Sequence, residues 1–379
     1  MKIALASNTA WYLWKFRLSL ALALREAGHE VVAVAPRDGH APKLEAAGIR
    51  FVHLPMDNAG MNPLRDGLLL ARWLSLLRRE GTEAFLGYTI KPNVYGGLAC
   101  RWLGIASIHN VSGLGTAFLR EGVLTSIAGV LYRAGLGRAR KVFFQNGDDR
   151  AEFLRRRLVR EEQTEVLPGS GVDLARFAPV EGRREGGGAV RFLLLARLMG
   201  DKGISEYVEA ARMLKASGVR AVCRLAGFLD VKNRTAISRE DVEGWVREGA
   251  VEYLGEADDV RAFIADADCV VLPSYREGTP RSLLEAASMA KPVVATDVPG
   301  CRNVVDEGVS GFLCRVRDAR DLADKMRRVA GMTADERAQM GRAGRRKMER
   351  EYDERIVIGI YLREIAQLGA GQAIGAEGA

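Results

Sequence analysis

Short apolar runs alternate with amphipathic stretches along almost the whole chain. Lys2–Ala6, Val31–Ala35, Phe51–Leu54, Ala84–Gly87, Ile105–Ile108 and Lys141–Gln145 read as buried strands. Between them, Phe16–Ala27, Lys43–Ala47, Leu64–Glu80, Leu124–Leu136 and Asp148–Leu158 carry helical spacing, while Ser7–Trp14 reads as an aromatic-rich loop. The pattern loosens from Pro168 to Pro179, and Glu185–Gly188 reads as a flexible turn. A second series then begins. Its strands are Val190–Ala196, Ala221–Ala226, Val251–Leu254, Cys269–Leu272 and Pro292–Thr296; its helices are Glu206–Ser217, Asp241–Glu248, Val260–Ala265 and Arg281–Met289. A last helix is predicted near Glu354–Gln367, ahead of a Gly/Ala tail expected to fray. Alternation of this kind predicts α/β architecture: two doubly wound, Rossmann-like domains facing a cleft, over residues 1–175 and 176–379. The last helix is a candidate to pack back on the first domain.

Composition narrows the class. A chain of 379 residues with 48% hydrophobic and 27% charged content is that of an ordinary globular protein with room for two cores. Residues 1–180 hold 24 Lys and Arg against 16 Asp and Glu, and the remainder balances at 32 of each. The net charge of +8 thus belongs to the first half, which points to an acidic partner there. Five scattered cysteines without a CxxC argue against zinc or a disulfide framework and for a reducing, cytoplasmic compartment. Met1–Ser7 reads as a strand, and Lys15 and Arg17 interrupt the apolar residues beyond it, so no leader is expected. No apolar run is long enough to span a bilayer.

The chemistry gathers around Pro273–Gly300. Thr279-Pro280 marks a helix start, with Thr279 as N-cap and Pro280 in the first turn. Glu277 precedes it, and Glu285 sits among leucines and alanines, where a carboxylate needs a partner. Ligands of such sheets bind beyond the carboxyl ends of the strands. In the second half those ends carry Arg197, Lys202, Gly227, Leu254 and Gly255 beside Glu277–Ser282. Two cations and a helix start suit a diphosphate.

ARLMGDKG (Ala196–Gly203), EGTPRSLLE (Glu277–Glu285), KPVVATDVPG and EGVSGFL together resemble the retaining glycosyltransferases of family 4, which have the two-domain GT-B fold. In the first half, SNTAWYLWKFR, GYTIKPNVYG and NVSGLGTAF resemble a branch that moves sugars, often N-acetylhexosamines, onto polyprenyl-diphosphate-linked acceptors. The resemblance implies a UDP-sugar donor as co-substrate. Arg197 and Lys202 then hold the diphosphate, Glu285 the ribose, and Glu277 the donor sugar. Gly278, Thr279, Pro280, Arg281, Ser282, Gly227 and Leu254 complete the donor site. It also implies an active-site histidine, for which His109 is the candidate, although a packed strand-end histidine fits the same pattern. Tyr88, Thr89, Lys91, Asn93, Asn110 and Gly113 form the candidate acceptor surface. The aromatic residues of Asn8–Trp14 suit stacking on sugar or prenyl surface, or clamping of the next helix.

Metal, membrane and nucleic acid remain to be placed. Asp266-Ala267-Asp268 is formally a DxD but precedes its strand, away from the cleft, so no metal cofactor is expected. The mixture of apolar and cationic residues over Leu114–Lys141 suits an anionic membrane surface, hence a peripheral location on the inner face of the cytoplasmic membrane. No nucleic acid is expected, because no recognition module accompanies the basic half. A UDP-sugar epimerase of the same fold and a non-catalytic nucleotide-sugar-binding protein are the competing functions; an oxidoreductase lacks its G-x-G-x-x-G loop.

Overall fold

The computed structural model describes residues 1–57, 62–113, 123–180, 188–229 and 235–376. The chain divides into two compact units, Met1–Ser170 with Arg355–Ala379, and Gly171–Glu354. The division therefore falls between Ser170 and Gly171 rather than at 175, and the final helix belongs to the first unit.

Unit 1 is built on β1 (Lys2–Ala6), β2 (Glu30–Ala35), β3 (Arg50–His53), β4 (Ala84–Tyr88), β5 (Ala106–Val111), β6 (Lys141–Phe144) and β7 (Thr164–Val166). Their order is β3-β2-β1-β4-β5-β6-β7, with every pair parallel. Unit 2 has β8 (Val190–Leu195), β9 (Ala221–Ala226), β10 (Glu252–Tyr253), β11 (Cys269–Leu272), β12 (Val293–Thr296) and β13 (Gly311–Cys314). These run in the order β10-β9-β8-β11-β12-β13, again all parallel. Parallel neighbours need crossover helices, which cover both faces and leave the central strands almost wholly apolar. Each sheet reverses its winding once: between β1 and β4, and between β8 and β11. Such switch points open a crevice at the strands' carboxyl ends.

Several local expectations are corrected. The aromatic stretch after β1 is not a loop but the opening of the helix Ala10–Glu26. Thr9, in extended conformation, accepts a bond from the Tyr12 amide at 3.1 Å and so starts the helix earlier than the apolar spacing indicates. Tyr88 ends β4 and the following residues are already helical by Ile90, with a single π-turn over Pro92–Gly96, so the predicted polar loop is nearly absent. Gly135 makes room for that turn: a Cβ there would lie 2.7 Å from the Val94 carbonyl oxygen. Strands β7 and β13 and the helices Ala319–Gly331 and Ala334–Lys347 lie beyond the elements that the apolar pattern predicts. The last helix runs over Glu354–Ala376, past the expected end at Gln367.

That last helix joins the unit 1 core through Val357, Tyr361 and Ile365, which pack with Ile3, Leu5, Leu20, Leu24 and Leu86. Ile365 is fully buried. Truncating it to Ala is expected to cost about 3 kcal/mol. Hydrogen exchange should then show lost protection in residues 1–170, with unit 2 unchanged; a uniform loss over both units would contradict the division.

Candidate active site

At the unit 2 switch point, the loop after β8 and the loop after β11 meet through their backbones. Gly203 has φ +70°, and a Cβ on it would stand 2.1 Å from the Pro273 carbonyl oxygen, so only glycine allows this approach. The Tyr275 amide donates to the Asp201 carbonyl at 2.9 Å, and the Tyr275 hydroxyl to Glu206 Oε1 at 2.6 Å. On the far side, the Glu277 amide donates to the Pro299 carbonyl at 3.3 Å, and Gly300, at φ +83°, lies against the carbonyl oxygens of Glu277 and Gly278.

The loops bring together Lys202 and Glu277, far apart in the sequence, as an ion pair through Lys202 Nζ and Glu277 Oε1. Ser274 Oγ also donates to that oxygen, at 2.6 Å. Ser274 itself is buried, and Thr296 Oγ1 donates to its carbonyl, which ties the pair to the end of β12. Ser274 is not among the residues that sequence reasoning picks out; its signal is a small hydroxyl two residues beyond a buried strand's end. Arg197 is exposed at the β8 end, and its guanidinium makes no hydrogen bond or ion pair among the described residues. Gly227 follows β9 at φ +145°, where a Cβ would overlap the Ala196 carbonyl; its amide donates to Gly255 O at 2.9 Å. Leu254 is half-buried beside it.

The helix start differs from the expected one. Pro280, not Thr279, is the N-cap of Arg281–Ser288, and no side chain caps it, since proline offers neither a side-chain acceptor nor an N–H. Gly278 and Pro280 are buried, while Thr279 and Ser282 are partly exposed. Glu285, 3% exposed, has its partner one turn back: Arg281 Nη2 lies 3.2 Å from Glu285 Oε1. Arg281 Nη1 donates to the Gly171 carbonyl at 2.5 Å, which fixes the guanidinium. Arg281 Nε, at 3.3 Å, falls on the same Oε1.

In unit 1 the candidate acceptor residues are mostly interior. Tyr88, Asn93, His109 and Asn110 are all buried, so the polar cluster expected on a surface is an internal network. Asn93 Nδ2 donates to Asn110 O at 2.9 Å, and Asn110 Nδ2 to Tyr361 Oη at 3.3 Å. His109 has both ring nitrogens occupied, by Asn93 Oδ1 at 3.2 Å and Ser107 Oγ at 3.0 Å, and its ring fills space left by Gly87 and Gly97. It is a packed strand residue rather than a group at a cleft edge, and burial lowers its pKa to about 3. Lys91 pairs with Asp66 at 2.9 Å. Thr89 is held at φ +66°, with its hydroxyl accepting the Asn8 amide at 3.1 Å. Gly113, at φ +135°, is partly exposed.

The formal DxD is spent on structure. Asp266 binds Arg191 and, at 2.5 Å, Arg224; Asp268 Oδ2 accepts the Arg191 amide at 2.8 Å. No cluster of three potential metal ligands occurs among the described residues. Of the basic, apolar segment, Phe118, Leu119 and Arg120 lie outside the described residues, as does the side chain of Leu124. Tyr132 turns inward, 5.1 Å from the Phe153 ring, and Lys141 pairs with Glu165 at 2.8 Å. Ile127 and Val130 face outward. All five cysteines are buried and free.

Two all-parallel, doubly wound units, one with a cation–carboxylate pair at its switch point, define a two-domain α/β protein built to bind ligands at strand ends. Residues 13–169 match the family described as "Glycosyl transferase 4-like domain", and residues 189–331 match "Glycosyl transferases group 1". The chain is a glycosyltransferase of the GT-B fold. It is 28% identical over 382 residues to N,N'-diacetylbacillosaminyl-diphospho-undecaprenol alpha-1,3-N-acetylgalactosaminyltransferase of Campylobacter jejuni, covering 96% of this chain and 98% of that one. It is 32% identical over 206 residues to the putative colanic acid biosynthesis glycosyltransferase WcaL of Escherichia coli, 52% of this chain and 49% of the relative. Among solved structures, sucrose-phosphate synthase of Thermosynechococcus elongatus superposes with TM-score 0.79 at 20% identity, over 98% of this chain and 100% of that one. HepE of Anabaena in complex with UDP-glucose gives 0.76 at 18%, over 97% and 99%.

The buried histidine makes a pH prediction. Its native pKa lies below the unfolded value near 6.5, so on acidification the unfolded imidazole takes up a proton that the native one refuses. The stability associated with neutral His109 is complete above pH 6.5 and is lost as pH falls towards 3, at up to about 1.4 kcal/mol per pH unit. Urea unfolding of wild type and His109→Asn at pH 7.5, 6 and 5 should show the two converging as pH falls. A pH-independent difference would mean that His109 is not buried neutral.

Proposed function

We propose that the protein transfers a sugar, an N-acetylhexosamine, from a UDP-sugar to a polyprenyl-diphosphate-linked glycan, with retention of anomeric configuration. The product belongs to cell-surface polysaccharide or glycoprotein glycan assembly. The observation that carries the reading is the Lys202–Glu277 pair at the β8/β11 switch point, inside the stretch that matches the group 1 family. The Campylobacter relative, named for adding N-acetylgalactosamine to an undecaprenol-diphosphate-linked sugar and aligned over nearly the full chain, supports the choice of acceptor.

In this reading Lys202, with three donors and one carboxylate partner, turns towards the donor diphosphate, joined by the exposed Arg197. Glu277 is released to the hydroxyls of the donor sugar, and Glu285 Oε2 to the ribose. As the glycosidic bond lengthens, negative charge grows on the departing diphosphate and the two cations stabilise it. The acceptor hydroxyl attacks from the side the diphosphate leaves, and a phosphate oxygen takes its proton, so no protein base is required. His109 has no part in this chemistry. The DxD carboxylates are committed to Arg191 and Arg224, which supports metal-independent turnover.

Membrane contact falls to unit 1. Arg101, Arg133, Arg138, Arg157 and Arg160 line a pocket of about 830 Å³ whose other walls include Val130, Leu154 and Leu158. Val130 is 69% exposed, and Trp102, next to Arg101 in the sequence, is 63% exposed. A tryptophan, exposed aliphatics and clustered arginines suit the interface of an anionic bilayer. No described helix is long and apolar enough to cross one.

The deciding experiment offers UDP- and GDP-sugars with a polyprenyl-diphosphate-sugar acceptor and reads products by mass spectrometry. Transfer that needs both substrates is expected, and Lys202→Ala should lower it about a hundredfold or more with an unchanged melting temperature. Conversion of the UDP-sugar without acceptor would identify the epimerase, and binding without product the non-catalytic module. Activity should persist in EDTA; abolition with rescue by Mg²⁺ would overturn metal independence. In flotation, salt-sensitive binding to anionic vesicles should be lost in Arg133→Glu/Val130→Asp, whereas absence of binding by wild type would remove the membrane role.

A further inference from the structure

The helix Ala10–Glu26 buries Ala10, Leu13, Leu20, Ala21 and Leu24, and on the same stripe Arg17, which is 2% exposed. No carboxylate pairs with Arg17 among the described residues. Its guanidinium carbon stands 4.3 Å from the Tyr88 ring centroid and 5.7 Å from that of Tyr12, and Nη2 donates to Tyr12 Oη at 3.3 Å. Nε is buried without a partner, as is Tyr88 Oη. Burial pushes the Tyr88 and Tyr361 phenols up, so both are neutral and supply no counter-charge. The hydrogen bonds leading away end on neutral groups too: Tyr12 Oη lies 2.9 Å from Ser112 Oγ, which donates to Asn110 Oδ1 at 3.0 Å.

Lys347, also buried, has Asp306 as its partner, and the partly buried Arg281 has Glu285. A buried charge without one is costly, and aromatic faces offset only part of that cost. Arg17 lies against Tyr88, the last residue of β4, so the uncompensated charge sits by the carboxyl ends of β1 and β4. This is the unit 1 switch point, where doubly wound sheets bind ligands. Nε and Nη2 form one edge of the guanidinium fork, the edge that grips a phosphate through two parallel bonds. That edge carries a single long bond.

We propose that Arg17 is the anion-recognising residue of unit 1, and that it takes the phosphate nearest the acceptor sugar. The phosphate oxygens replace Tyr12 Oη on Nη2 and engage the partnerless Nε. Tyr12, half-buried and bonded to both Arg17 and Ser112, covers this edge until the acceptor arrives. Arg17 holds the acceptor in place and does not touch the reacting atoms. The assignment of the phosphate to the acceptor rests on the proposed function; the anion site itself does not.

The test uses the full chain with farnesyl diphosphate as lipid-linked probe, inorganic pyrophosphate as free anion, and UDP as donor-side control, measured by calorimetry. Wild type should bind farnesyl diphosphate, Arg17→Met at least about tenfold more weakly, and Arg17→Lys in between, with UDP affinity the same in all three. Pyrophosphate bound more tightly than farnesyl diphosphate would mean a free-anion site and overturn the acceptor assignment. Ligand-free Arg17→Met should melt no lower than wild type, because an unpaired buried charge has been removed. A lowered melting temperature together with undiminished farnesyl diphosphate binding, or no binding by wild type, would make Arg17 a structural residue. Should Arg17→Met fail to fold, Arg17→Lys alone decides by its probe affinity. In the transfer assay the acceptor KM should rise with kcat little changed. An unchanged KM in an active variant sinks this proposal alone, whereas Arg17-dependent binding without any transfer sinks the proposed reaction and leaves the anion site.

Discussion

The ion pair between Lys202 and Glu277 is the contact on which the geometry of the unit 2 switch point turns. It closes only because two loops approach backbone to backbone, at Gly203 against Pro273 and at Gly300 against Glu277 and Gly278. Any side chain at either glycine would separate the loops. Two charges held together at low exposure, with Ser274 fixing the carboxylate, keep a lysine poised without folding it irrevocably into the core. Lysine is suited to this, being a compact charge with three rotatable donors that can exchange one anion for another.

The alternation of short apolar runs with helical stripes makes the α/β architecture legible, and strands such as Ala221–Ala226 and Cys269–Leu272 can be read to the residue. Where both faces of a sheet are covered, hydrophobic period and length carry nearly all the information. The proposed donor side draws on a different signal: Arg197, Lys202, Glu277 and Glu285 follow strand ends or interrupt apolar context. What pattern cannot supply is burial. Tyr88, Asn93, His109 and Asn110 are polar residues near predicted strand ends, which reads as a surface, yet all four are buried, and Asn93 bonds to both His109 and Asn110 inside unit 1. Pairing of that kind is invisible in one dimension. Thr9 and Pro280 illustrate a smaller limit, since a cap's identity depends on backbone dihedrals and not on residue type alone.

Arg17 shows the opposite case, a signal present in the sequence but easily passed over. Leu13, Arg17, Leu20 and Leu24 share one helical stripe, so the spacing already places a cation on a buried face. Glu285 interrupts an apolar stripe in the same manner but finds Arg281 one turn away, whereas Arg17 finds only neutral rings and a hydroxyl. Each unit thus holds a cation at the switch point of its own sheet, one paired and one not. The two differ because Lys202 has a resident carboxylate, and Arg17 has none among the described residues.

In the proposed reaction, donor diphosphate displaces Glu277 from Lys202. Calorimetric titration of UDP into wild type, Lys202→Ala and Glu277→Gln tests it directly, since UDP carries the diphosphate but no sugar. Lys202→Ala is expected to weaken UDP at least about tenfold, while Glu277→Gln, which frees the lysine, should bind as tightly as wild type or more so. Equal affinity for UDP in Lys202→Ala and wild type would contradict it.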